Sequence, residues 1–121
     1  MAAPSAEELA AVEARLIGLL APYERELEWA TIYGNRTLRR PGTKAHDWFA
    51  FVKPATKHVS LFLLPVHVHP SLREGLSPAL GFRLTGKATF NFTGLDDALA
   101  VEIGALLARA FEAYMGRDAA A

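Results

Sequence analysis

Apolar residues near the N-terminus recur at helical spacing. Leu9, Val12, Leu16, Leu19 and Leu20 form one stripe, and Glu7, Glu8, Glu13 and Arg15 fall away from it. That is the pattern of a helix buried on one side. Ser5 followed by Glu8 predicts a capping box at its start, and Pro22 predicts its end. The period then changes. In "LEWATIYG" (27–34), Trp29, Thr31 and Tyr33 alternate with Ala30 and Ile32, which predicts a strand. "NRTLRRPGTKAH" reads as a passage through a Pro-Gly turn into the aromatic strand "DWFAFVKP". A second turn, "PATK", leads to "HVSLFLLPV", whose apolar run over 59–66 is expected to be a central strand. Three strands in meander order are the simplest account.

"HPSLREGLSPAL" predicts one short helix, opened by Pro70 and stopped by Pro78. "GFRLTG" and "KATFNFTG" predict two further strands. In the second, Ala88, Phe90 and Phe92 alternate with Lys87, Thr89, Asn91 and Thr93, so one face is wet. Asp96 and Asp97 open a final helix, where negative charge suits the helix dipole. Its stripe is Leu99, Ile103, Leu106, Leu107, Ala110, Phe111 and Tyr114. "GRDAAA" (116–121) is expected to fray. The order α-β-β-β-α-β-β-α predicts an α+β fold, with an antiparallel five-stranded sheet and helices mainly on one face. One domain over 1–121 is expected, its core at about 5–115.

Helices at both chain ends cover one sheet face and leave the second to water or a partner. The 59–66 strand carries large apolar residues at both parities: Val59, Leu61 and Leu63 on one side, Phe62, Leu64 and Val66 on the other. Either the second face meets a ligand, a groove or a second copy of the chain, or the sheet curls and buries both sides. The residues expected on that face are Trp29, Tyr33, Trp48, His58, Phe62, Leu64 and Lys87.

Composition narrows the chemistry. The chain has 121 residues, about half of them apolar, and no cysteine. This excludes disulfides, thiolate nucleophiles, zinc ribbons and iron–sulfur clusters. "MAAPSAEEL" lacks the basic and apolar regions of a secretory signal, and no apolar run approaches the roughly 20 residues of a membrane span. A cytoplasmic protein without membrane contact is expected. The zero net charge is unevenly spread. Six glutamates between Glu7 and Glu28 face only Arg15 and Arg25, whereas Arg36, Arg39, Arg40, Lys44, Lys53 and Lys57 face Asp47 alone. The basic stretch reads as a solvated hairpin rather than a nucleic-acid footprint, because a nucleic-acid-binding domain is usually basic overall.

Ser5, Ser60, Ser71 and Ser77 lie outside any G-x-S-x-G, and no phosphate-binding glycine loop occurs. No catalytic residue is assigned, and none of these features calls for a cofactor. Metal binding is the alternative. His67 and His69 would share a face if they lay on a strand, and two imidazoles so placed can hold zinc. A third ligand is needed; His58 is nine residues from His67, roughly 30 Å along an extended chain, which leaves His46 or Glu74. Glu7, Glu8 and Glu13, with Glu24, Glu26 and Glu28, could instead offer iron an acidic ridge.

"ATIYG" before a basic turn, "WFAFVKPATKHVSLFLLP", "GKATFNF" and the closing helix together resemble the YdhG-like family, also called domain of unknown function 1801. The similarity spans roughly residues 10 to 114. Its most specific parts are Lys57-His58-Val59-Ser60-Leu61 and Gly86-Lys87. The resemblance implies an α-β(3)-α-β(2)-α fold similar to secretion chaperones. Most members are uncharacterised, and some bacterial ones are regarded as frataxin-like iron chaperones. Members often carry Met-Pro after the Tyr-Gly, where this chain has Asn35 and Arg36. The His67-Val68-His69 stretch lies in a connection that varies within the family, so no family role transfers to it. The expected function is a non-enzymatic module that binds a small molecule or a protein on the second sheet face.

Overall fold

The computed structural model describes residues 4–32, 34–42 and 47–116. It is an α+β fold built on an antiparallel sheet. The chain opens with α1 (Ala6–Leu20), capped as expected: Ser5 Oγ accepts the Glu8 N–H at 3.1 Å, and Glu8 Oε1 accepts the Ser5 N–H at 3.2 Å. Two otherwise orphaned donors are thereby satisfied. Pro22 falls in a 3-10 helix (Ala21–Arg25) that continues directly from α1.

Six strands follow where five were expected. β1 (Glu28–Ile32) and β2 (Asn35–Arg39) form a hairpin, with Gly34 in its turn at φ +79°, a region that costs glycine little. The sequence pattern assigned β2 to a turn because it is almost wholly polar. Leu38, fully buried, is its one large apolar contribution to the core. β3 (Ala50–Pro54) and β4 (Val59–Leu63) complete the meander.

β4 stops at Leu63, short of the expected strand end at Val66. Pro65 is tolerated in the first turn of α2 (Leu64–Val68), where no N–H is needed. α3 (Ser71–Glu74) lies between Pro70 and Pro78 as expected. Pro78, however, begins another helix, α4 (Pro78–Arg83), whose N-cap Ser77 accepts the Leu80 N–H at 3.2 Å. The expected strand over 81–86 therefore shrinks to β5 (Leu84–Thr85). β6 (Thr89–Phe92) pairs with both β5 and β4, giving the order β1-β2-β3-β4-β6-β5 with every pairing antiparallel.

The final helix is α5 (Asp97–Tyr114). Its N-cap Asp96 accepts the Leu99 N–H at 2.8 Å, and Asp97 binds Arg15 of α1 at 2.6 Å. The expected stripes of α1 and α5 meet one side of the sheet. There Leu16 and Leu20, with Ile103, Leu107 and Phe111, pack with Leu38, Ala50, Leu61, Leu63, Phe90 and Phe92 in one core cluster. Phe49, immediately before β3, joins it among the rings of Tyr23, Phe111 and Tyr114. Among the described residues no helix is long and apolar enough to cross a membrane. The frayed tail was expected over 116–121; of this, 117–121 lies outside the described residues.

Candidate functional site

Strand alternation decides what reaches the second sheet face. Leu61 and Leu63 point into the core, so Phe62 between them points away. Phe51 lies directly opposite Phe62, and the two rings stack with centroids 4.3 Å apart and planes 8° apart. Trp48 adds a third ring, tilted by 57° at 5.1 Å from Phe51. All three are half-buried and stand outside the core cluster. Thr37 and Thr89 flank them across the sheet.

A polar row runs beside the rings. Lys53, Ser60 and Asn91 face one another across β3, β4 and β6. Ser60 Oγ donates to Asn91 Oδ1 at 2.6 Å, and Asn91 Nδ2 reaches Thr85 Oγ1 at 3.4 Å. Toward the β1 edge, Glu28 and Arg39 form a cross-strand ion pair at 3.4 Å. This face thus presents stacked aromatic edges bordered by hydroxyls, an amide and an exposed ammonium.

The residues expected on the face are divided by the structure. Trp48 and Phe62 lie there, and His58 and Lys87 occupy its ends, just before β4 and in the β5–β6 turn. Tyr33 lies outside the described residues. Trp29 is a correction: it pairs with Leu38 and packs against the core from the helical side. Leu64 is another, because the chain has already left the sheet for α2. Phe51, Ser60 and Asn91 were missed as a group. The sequence signal for Phe51 is its alternation with Val52, which puts the two on opposite faces of the sheet.

Trp29 instead floors a cleft of about 260 Å³ with Glu13, Ile17, Glu24, Arg36 and Val52. Its indole N–H donates to Glu24 Oε1 at 2.7 Å, and the Arg36 guanidinium stands 4.9 Å from the ring centroid. The indole and Glu24 thereby satisfy each other.

A third cluster joins β2, α2 and α5 around a cleft of about 230 Å³ lined by Arg40, Asp47, Leu64, Val68, His69 and Tyr114 among others. Arg40 Nη2 donates to Asp47 Oδ2 at 2.6 Å, and its guanidinium lies 4.7 Å from the Tyr114 ring centroid. The Arg40 backbone N–H donates to Tyr114 Oη at 3.0 Å. Burial raises the Tyr114 pKa above its ordinary value, although the hydrogen bond from Arg40 opposes this. The bond to Asp47 holds Arg40 charged. These contacts fasten the end of α5 to the sheet, which is a structural use for all three side chains.

The histidine pair loses its geometric premise. His67 is in α2, and His69 caps its end. Residues two apart in a helix diverge by about 200° rather than sharing a face. Glu7 and Glu8 are exposed in the first turn of α1, Glu8 within the capping box, while Glu13 lies in the Trp29 cleft. His46 lies outside the described residues. Among the described residues no three His, Asp or Glu side chains gather as a metal-holding group.

Comparison of the chain with models of protein families, with curated proteins and with solved structures gives no match. The resemblance to the YdhG-like family accordingly rests on the residues and spacing that carry it.

Proposed function

We propose that the protein is a binding module that holds a flat, unsaturated ligand group against Trp48, Phe51 and Phe62 on the second sheet face. The observation that carries this reading is the Phe51–Phe62 stack. Two large rings on neighbouring central strands remain outside a core that has room for Phe49, Phe90 and Phe92. Aromatic side chains left half-exposed in a group more often serve a contact than scattered single ones do. Exposed Lys53 and half-buried Asn91 beside them would supply the hydrogen bonds that orient the ligand. The helix–strands–helices–strands–helix order also supports assignment to the YdhG-like family, with one strand more than the family's pattern.

The test uses planar heteroaromatic fragments such as indole and quinoline added to ¹⁵N-labelled protein. Saturable shifts centred on Phe51, Ser60 and Phe62 are expected. Shifts centred on Ile17, Trp29 and Val52 would transfer the site to the cleft under α1 and remove this reading.

A further inference from the structure

We infer that the ligand of this face is single-stranded nucleic acid. The inference rests on the binding reading above and names its partner.

The first support is the position of the rings. Phe51 and Phe62 occupy adjacent strands in the middle of the six-strand order, with Trp48 at the end of the pair nearer Leu63. Phe51 and Phe62 cover one face of each other, so a base would continue the row against the outer face of a ring, beside Thr37 or Thr89. Stacking of this kind tolerates any base, because every base has a π-face. Lys53 and Asn91 flank the buried Ser60 beside the rings, and it is these two that would meet unpaired base edges or a backbone.

The second support is charge. Lys53 and Lys57 stand at the β3–β4 turn, and Lys87 stands at the β5–β6 turn. These turns are at opposite ends of β4: Pro54 pairs with Val59, while the Leu63 N–H donates to the Ala88 carbonyl at the other end. A strand of nucleic acid laid along β4 would cross the rings and meet an ammonium at each end. The distance along β4 from Val59 to Leu63 is roughly 13 Å. Among the described strand residues of this face the one carboxylate is Glu28, and Arg39 pairs with it. The carboxylates of α1 and α5 belong to the layer behind the sheet. The net charge counts both layers together, so it is a poor guide to what this face attracts.

The experiment is anisotropy of short fluorescein-labelled oligothymidylate and oligouridylate with the full chain, at low and moderate salt. Duplex DNA, thymidine monophosphate and polyglutamate are run as competitors. Saturable binding of the single strands is expected, with log affinity falling against log salt at a slope near −1.5 to −2, as two or three phosphate contacts require. Phe62→Ala and Trp48→Ala should each weaken it by about ten-fold or more. Lys53→Glu and Lys87→Glu should weaken it while the ring stack stays in place. Phe82→Ala, at a ring 88% exposed on α4, should leave affinity unchanged.

Absence of saturable binding overturns the inference, as do competition by duplex equal to the single strand and binding indifferent to the four variants. Monophosphate binding as tight as the oligomer would identify a free nucleotide, and equal competition by polyglutamate an acidic peptide; either also overturns it. If planar fragments still shift Phe51 and Phe62 after such a result, the binding reading survives without this partner. If they do not, both fall.

Discussion

Phe51 and Phe62 stack face to face across β3 and β4, with centroids 4.3 Å apart, on the side of the sheet away from α1 and α5. The stack is half-buried, whereas Phe90 of β6 is fully enclosed on the opposite side. Their substitutions should differ accordingly. Phe90→Ala leaves a core cavity and should cost about 3–5 kcal/mol. Phe62→Ala loses partial burial and one aromatic pair, about 1–2 kcal/mol. Urea denaturation of the two variants measures the difference. Equal losses would mean that something covers the second face.

Tyr114 ties the end of α5 to the end of β2 through its hydroxyl, which accepts the Arg40 N–H. Tyr114→Phe removes that acceptor and should cost about 1 kcal/mol. It should also change the response to alkali. Burial raises the pKa of Tyr114 and of Tyr23 above 10.0, the ordinary value, so the unfolded chain releases these protons first. Stability present below pH 10.0 should then fall as pH rises toward the folded-state values. Tyr114→Phe should make that fall shallower, read as unfolding free energy across the alkaline range.

The two long helices depend on side-chain caps. Ser5→Ala and Asp96→Ala each free an N-terminal N–H, Glu8 and Leu99 respectively, and should each lose about 1 kcal/mol. Ser5→Asp should restore most of the first loss, because aspartate supplies the same acceptor and suits the helix dipole. Thermal unfolding with the reverting variant tests the cap itself rather than the position.

His67 and His69 should respond to zinc separately. They are placed by α2 on diverging directions. In an NMR titration His67→Ala should leave the zinc response of His69 intact, and the reverse should also hold. Joint loss of a saturable response in either variant would show that the helix end reorganises to bring the imidazoles together.

Periodicity alone determines much of this protein. The stripes Leu9–Val12–Leu16–Leu20 and Leu99–Ile103–Leu106 are buried as read, because a helix face is set by local geometry alone. The Ser5–Glu8 box and the Asp96 cap are local for the same reason, and the alternation of Phe90 and Phe92 with Asn91 told inside from outside in β6. Pro78 was legible as a break but not as the start of α4, and Pro65, which falls inside the expected 59–66 strand, opens α2 instead, since the ring that ends one element suits the first turn of the next.

Tertiary structure decided the rest. β2 exists because its backbone pairs with β1 and β3 on both sides, a gain that its polar side chains do not announce. Alternation says that Phe51 and Val52 lie on opposite faces, and that Trp29 and Ala30 do, but not which face the helices will cover. That choice depends on where α1 and α5 come to rest. It sends Trp29 and Val52 under the helices and leaves Phe51, Phe62 and Trp48 together on the other side, where the ligand chemistry is proposed.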